Sequence, residues 1–250
     1  MSGDLALIVG SGFRDLPLAI VARSPAKTPY GAPSSPVLTV EIGGSRVYCL
    51  ARHGETHAIA PHEINYRANV WALHAHGVRR CVALNAVGAI APGLLPGDLA
   101  VPDQLIDYTW GRAGTFGAAG SPVVHVDFTE PFEPVLRGRI AAAIASTARR
   151  MQHGIYGVTQ GPRLETAAEV ERLARDGCAM VGMTALPEAA LARELGIGYA
   201  ICALAVNYAA GRAPDGEPIL TQIDKVLDAG MQHAGRVLER LFAELGRDAL

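Results

Sequence analysis

The chain has 250 residues, half of them hydrophobic and 18% charged, which suits one large α/β domain or two small ones with a well-filled core. No break in composition marks a boundary, so one domain over residues 1–250 is expected. A formal net charge of −2 and the lack of any Lys/Arg run argue against a nucleic-acid partner, although a few converging arginines can still hold one phosphate.

Cys49, Cys81, Cys178 and Cys202 are widely spaced and form no Cys-x-x-Cys pair, the pattern of reduced thiols in a cytosolic protein. The start, Ser2-Gly3-Asp4 and then a short strand, lacks the basic segment and apolar stretch of a secretion signal. Ile197–Val206 is too short to span a bilayer. The chain reads as cytoplasmic, with no membrane partner.

In chain order, Leu5–Val9 is an apolar run that stops at Gly10-Ser11-Gly12, which predicts a buried strand and a tight loop. Val37–Ile42 and Arg46–Leu50 flank Gly43-Gly44, a hairpin signal. Ile64–His76 has helical spacing, with Ile64, Ala68, Trp71 and Ala75 on one face. Cys81–Leu84 reads as a buried strand halted at Asn85-Ala86-Val87-Gly88, and Leu99–Ile106 as another after Pro96-Gly97-Asp98. Thr109–Pro122, rich in glycine and small residues, is expected to be a mobile loop. Pro134–Met151 reads as a helix, Ile155–Thr159 as a strand, Thr166–Arg175 as a helix and Cys178–Val181 as a strand. Pro187 suits the first turn of a helix through Leu195, and Ile197–Val206 is strand-like. Apolar residues from Ile223 to Leu245 then recur as on a long amphipathic helix. The alternation predicts an α/β fold: a central mixed, mostly parallel β-sheet flanked by helices.

Sheets of this kind place ligands just beyond strand ends, and three such ends carry anion-binding chemistry. Gly10-Ser11-Gly12 offers a hydroxyl and open amides. Arg52-His53-Gly54 offers a fork of cationic donors and an imidazole. Asn85-Ala86-Val87-Gly88 offers backbone N–H groups free to point at an oxyanion, and Thr184 adds a hydroxyl. At Gly161-Pro162-Arg163-Leu164-Glu165-Thr166, a flat heterocycle can stack on Leu164 while Glu165 accepts a ring N–H. Ala205-Val206-Asn207 ends in an amide that both donates and accepts, so Glu165 and Asn207 together suit the edge of a 6-oxopurine.

Each segment alone has a plainer reading. Glu165 can face solvent in the first turn of a helix, and Gly-Ser-Gly is commonly a turn. That tripeptide is no dinucleotide fingerprint, since Asp15 occupies the third glycine's place. Nor is Ser11 a nucleophile elbow, since Val9 occupies the first glycine's place. His53 and His57 lie four apart, but Gly54 stands where a zinc peptidase needs glutamate. His74 and His76 face different ways and read as surface residues.

In this order, Arg52-His53-Gly54, Asn85-Ala86-x-Gly88, Pro96-Gly97-Asp98, Gly161-Pro162-Arg163, Met183-Thr184-x-x-Pro187-Glu188 and Val206-Asn207 resemble a known family. It is that of the trimeric purine nucleoside phosphorylases and methylthioadenosine phosphorylases, and the likeness runs from Leu5 to about Leu241. The resemblance implies that inorganic phosphate, a co-substrate, attacks C1′ of a purine nucleoside with no covalent enzyme intermediate, metal or cofactor. It implies that Ser11, Arg52, His53, Ala86 (through its N–H) and Thr184 hold phosphate, that Met183 lies against the ribose, and that Asn207 bonds N7 of the leaving base. Arg52, His53 and Asn207 are then the catalytic residues. His125 matches a residue that reaches into the neighbouring subunit's site, which implies a homotrimer; otherwise it is a surface loop histidine.

The chain departs from the adenine-using members, which carry aspartates at the positions of Asn207 and Ala209, while Glu165 matches the glutamate of 6-oxopurine phosphorylases. Adenine would set its N1 lone pair against that carboxylate, and mismatched buried polar groups cost about 1–3 kcal/mol each. Where inosine and guanosine phosphorylases place a histidine for the 5′-hydroxyl, this chain has Ile223. With Val226 and Leu227 it forms an apolar wall suited to a methylthio group, unless all three are ordinary core positions. The expected reaction is phosphorolysis of 5′-methylthioinosine to hypoxanthine and 5-methylthioribose 1-phosphate. The alternatives are a methylthioadenosine or inosine/guanosine phosphorylase, a nucleoside-binding module without catalysis, and a nicotinamide dehydrogenase using Gly10-Ser11-Gly12. The last needs an acidic residue where Arg23 and Lys27 stand.

Overall fold

An uninterrupted Leu-Ala-Leu-Ile-Val run has no polar face to offer solvent, and Leu5–Val9 is buried along its whole length between two parallel neighbours. The computed structural model describes residues 4–118, 120, 122–145, 150–151, 153–214 and 216–247. Its strands are β1 (Leu5–Val9), β2 (Ala19–Ser24), β3 (Val37–Ile42), β4 (Ser45–Ala51), β5 (Arg80–Ala89), β6 (Leu99–Ala100), β7 (Gln104–Asp107), β8 (Arg150–Met151), β9 (Ile155–Val158), β10 (Cys178–Gly182) and β11 (Gly198–Tyr208). The helices are α1 (Tyr66–Ala75), α2 (Pro134–Ala145), α3 (Ala167–Arg175), α4 (Ala185–Glu194) and α5 (Ile219–Arg247).

The strands join in one mixed sheet, in the order β2-β3-β4-β1-β5-β10-β9-β7, with β11 beside β5 and β6, and β8 beside β6. Parallel ladders outnumber antiparallel ones, as expected. The sheet forks at β5. β11 follows one edge of β5 from Arg80 to Ala89. The other edge is shared: β1 pairs with residues 80–84, and β10 pairs with Gly88 and Ala89. Residues 85–87 have no strand on that side. Gly10 N donates to Leu84 O, so the backbone of Leu84 faces the β1 edge. Backbone groups alternate between edges along a strand, so those of Ala86 face the fork.

α5 covers β11 with its apolar stripe of Met231, Ala234, Val237, Leu238, Leu241 and Leu245, all buried. Among the described residues no helix is long and apolar enough to cross a membrane.

Several boundaries differ from expectation. The strand expected over Leu99–Ile106 is two strands, because Pro102 cannot donate to a ladder. The helix expected through Met151 is described to Ala145; residues 146–149 lie outside the described ones, and Arg150–Met151 pairs with β6. β2 is an edge strand whose side chains are largely exposed, so no buried alternation marked it. In α1 the buried face carries Ala68, Asn69, Ala72 and Leu73 rather than Ala75, which is exposed. Asn69 is buried there because it accepts from Ser34 N at 2.7 Å and donates to Ser34 Oγ at 3.0 Å.

The loop expected to move over Thr109–Pro122 is held at many of its described residues. Thr115 Oγ1 donates to Glu194 Oε1 at 3.0 Å, Phe116 N donates to the same carboxylate, and the Phe116 ring lies 5.1 Å from that of Tyr30. Residues 119 and 121 lie outside the described ones.

Candidate active site

A cavity of about 450 Å³ opens at the fork. Its lining brings together Ser11, Arg52, His53, Ala86, Met183 and Thr184 with Leu164, Glu165, Asn207, Ile223 and Leu227, which arrive from seven separate stretches of chain. Val226 is not part of it. One residue before Leu227 on α5, it turns to a second cavity beside Leu95, Pro96 and Tyr208. His125 is exposed in the segment after Val123 and Val124, outside the cavity lining.

At the fork end, Arg52 is 1% exposed and its partner Glu188 is fully buried. Nε donates to Glu188 Oε2 and Nη2 to Oε1, each at 2.7 Å, and Nη2 also donates to Asn85 Oδ1 at 3.0 Å. Tyr199 Oη donates to Glu188 Oε1 at 2.8 Å. Burial alone would disfavour the Arg52 charge, but the Glu188 carboxylate overrides it and raises the pKa. This fork–fork pair consumes two faces of the guanidinium and leaves Nη1 as the free one. A Cβ on residue 10 would lie 2.8 Å from Nη1 and 3.6 Å from His53 Nε2, which explains Gly10.

His53 Nδ1 bonds Ile59 O at 2.8 Å, so this nitrogen carries the proton. Burial lowers the pKa from 6.5 to about 4, more than that hydrogen bond raises it, and the Arg52 charge lowers it further. The imidazole is therefore neutral at pH 7, with Nε2 an acceptor. Below 6.5 the unfolded chain takes a proton that the folded ring refuses. His53 thus contributes fully above pH 6.5, and its contribution is lost as pH falls through about 4, by at most about 3 kcal/mol. Urea unfolding of wild type and His53→Gln from pH 7 to 4 should show the difference between them shifting by that amount against wild type; a constant difference would contradict the assignment.

Thr184 Oγ1 accepts from Asn85 Nδ2 at 3.2 Å, which leaves the hydroxyl proton available. Ser11 Oγ bonds His57 Nε2 at 3.1 Å, and the His57 ring lies 4.6 Å from that of His53. With the Ala86 N–H facing the fork, these donors surround a space suited to a tetrahedral oxyanion.

The other end reads a planar ring. Residues 161–166 are fixed from behind by a capping box: Thr166 Oγ1 accepts from Glu169 N and Glu169 Oε2 from Thr166 N, while Arg163 grips Glu169 with both Nη atoms. Glu165 follows Leu164 into the cavity, and its Oε1 accepts from Thr159 Oγ1 at 2.6 Å, leaving Oε2 without a hydrogen bond among the described residues. On β11 the register slips between Ala205 and Asn207, a bulge that turns the Asn207 side chain to the cavity. Asn207 Nδ2 donates to Tyr208 O at 2.7 Å, leaving Oδ1 to accept. Gln222 Oε1 holds Tyr208 N at 2.8 Å, which fastens this turn to α5. Gly88 makes room: a Cβ there would sit 3.3 Å from Asn207 Nδ2 and 3.4 Å from Ala209 Cα.

Between the ends, Met183 lies on one side, and Ile219, Ile223 and Leu227 form an apolar wall. Asn85, Glu188, Tyr199, Thr159, Gln222 and Ile219 escaped the sequence reading as site residues, and His57 was weighed there only as a metal ligand. Glu188 and Asn85 stood inside quoted motifs. The others carry no local signal, because their roles come from contacts across the chain.

Residues 4–243 match the Phosphorylase superfamily, and the chain belongs to that family. It is accordingly an enzyme of the nucleoside phosphorylase type, a pentosyltransferase. Among its relatives, a probable S-methyl-5′-thioinosine phosphorylase of Xanthomonas campestris pv. campestris is 49% identical over 246 residues, covering 97% of each chain. A 6-oxopurine nucleoside phosphorylase of Pyrococcus furiosus is 45% identical over 83% of this chain and 80% of its own. A methylthioadenosine phosphorylase of Schistosoma mansoni, solved with adenine, superposes with a TM-score of 0.91 at 30% identity, covering 98% of this chain and 93% of its own.

Proposed function

We propose that the chain, acting as one domain, converts S-methyl-5′-thioinosine and phosphate to hypoxanthine and 5-methylthioribose 1-phosphate. The observation that carries this reading is one cavity holding the Glu165 carboxylate and Asn207 amide at one end and the Ile219, Ile223 and Leu227 wall beside the middle. Ala209, without a polar side chain, lines the same end. The names of the bacterial relatives point the same way.

Phosphate occupies the fork end. Arg52 Nη1, Thr184 Oγ1, Ser11 Oγ and the Ala86 N–H donate to its oxygens, and neutral His53 accepts the proton that phosphate carries. Glycosidic cleavage leaves positive charge on the sugar and negative charge on the base. Phosphate, held beside C1′, stabilises the first and then bonds to it. A proton from solvent reaches N7 as the base leaves, and the N7–H so formed donates to Asn207 Oδ1; the remaining Nδ2 hydrogen serves O6, and Glu165 accepts from N1–H. Met183 lies under the ribose. The apolar wall takes the methylthio group, where an unpaired hydroxyl would be disfavoured.

The exposed side chains of Val123 (79%) and Val124 (58%) precede His125. The family resemblance implies a homotrimer, in which a second copy covering them would bring His125 to that copy's site; the cysteine pattern favours the cytoplasm, and the reaction serves purine salvage. No metal or organic cofactor enters this reading.

Initial rates with phosphate should be compared for methylthioinosine, methylthioadenosine and inosine. kcat/KM should be highest for methylthioinosine, about tenfold or more above inosine, with a larger gap to methylthioadenosine. Preference for the 6-amino nucleoside would overturn the base assignment, and preference for inosine the sugar assignment.

A further inference from the structure

Arg112 sits behind the cavity wall, outside the cavity lining. Its Nη1 donates to Met183 O at 2.8 Å and Leu186 O at 2.6 Å, and reaches Tyr66 Oη at 3.4 Å. Nη2 donates to Gln160 O at 2.9 Å and approaches Thr159 O at 3.4 Å, while Nε donates to Gln160 Oε1 at 3.2 Å. The guanidinium carbon lies 5.5 Å from the centre of the Tyr66 ring. Among the described residues no carboxylate pairs with it; every acceptor is a carbonyl or hydroxyl oxygen.

Apart from the Tyr66 hydroxyl on α1, these acceptors belong to two segments. Thr159 and Gln160 follow β9 and lead to the base end, where the Thr159 hydroxyl holds Glu165. Met183 follows β10 and, with Thr184, forms the sugar and phosphate side. β9 and β10 are parallel neighbours through Val158 and Gly182, and beyond those residues one chain leads to Leu164 and Glu165 and the other to Met183 and Thr184 in the cavity lining. A planar group with five fixed N–H directions sets both the separation and the relative tilt of two such segments; an ammonium cannot.

We propose that Arg112 is a positioning residue that fixes the distance between the Glu165 base subsite and the Met183–Thr184 sugar and phosphate subsite. Substrate is then held at both ends at once. The proposal rests on the phosphorolysis reading above, and displacement of one reacting group by about 1 Å is enough to cost about 10²-fold in rate.

Arg112→Met, Arg112→Lys and Glu165→Gln, with the Arg112→Met/Glu165→Gln double variant, test it at a temperature well below unfolding. Arg112→Met should lower kcat/KM for methylthioinosine about 10²-fold, with KM for phosphate changed less than about threefold. The lysine variant, which keeps the charge and stem, should recover less than a tenth of the loss. In the Glu165→Gln background the methionine substitution should cost under about tenfold, because the group it positions is already altered. A lowered melting temperature with unchanged kcat/KM, full recovery by lysine, or strict additivity with Glu165→Gln would each overturn the proposal. If wild type itself shows no phosphate-dependent turnover, the functional reading fails. Hypoxanthine affinity of wild type, Arg112→Met and Arg112→Lys then still decides the positioning role, which requires weakened binding in both variants.

Discussion

Replacing Asn207 by Ala is expected to lower kcat on methylthioinosine about 10²–10³-fold, the usual consequence of deleting one preorganised partner for charge that develops in the transition state. The bulge at Val206 and the bond from Nδ2 to Tyr208 O hold the amide in place before substrate arrives, so the loss should fall on kcat more than on KM. Asn207→Asp separates charge from shape. A protonated aspartate serves N7 and a 6-amino group, so this variant should lose rate on methylthioinosine while the ratio of methylthioadenosine to methylthioinosine kcat/KM rises. Steady-state rates on both nucleosides check this, and an unchanged ratio would remove Asn207 from base recognition.

Glu188→Gln should destabilise the fold by about 3–5 kcal/mol, because it leaves the Arg52 cation in the interior without its counter-charge. Glu188 is fully buried and bonded to Arg52 through both oxygens and to Tyr199 Oη. The glutamine keeps the volume, so the loss reads charge rather than packing. Urea unfolding at pH 7 gives the number. The same variant should raise KM for phosphate, since a loosened Arg52 no longer presents Nη1 in a fixed direction. Stability within about 1 kcal/mol of wild type would mean that the pair contributes little beyond filling space.

Buried strands were legible wherever a hydrophobic run met a glycine or an asparagine turn, as at Leu5–Val9, Cys81–Leu84 and Cys178–Val181. The Thr166 start of α3 and the amphipathic stripe of α5 were legible for the same reason: the signal is local. β2 was not, because an edge strand with exposed side chains has no alternation to reveal it. The buried face of α1 was misread because the Asn69 partner, Ser34, is far away in sequence. In the site, the motif residues that meet at the cavity were named from the chain alone, whereas Val226 was grouped with its helical neighbours. One helical step separates it from Leu227, enough to turn it to another cavity. Glu188 and Arg112 act by gripping other residues, and that kind of role has no spacing to read.

The fork in β5 also bears on how such a catalyst can diversify. The anion end depends on backbone placement and on an interior ion pair, so little there can vary without harming the whole molecule. The groups proposed to face the base and C5′ are single side chains on the 161–166 segment, the last strand and the last helix, exchangeable one at a time. Descendants of this architecture can therefore trade one nucleoside for another while inheriting the same attack by phosphate, with innovation confined to those three segments.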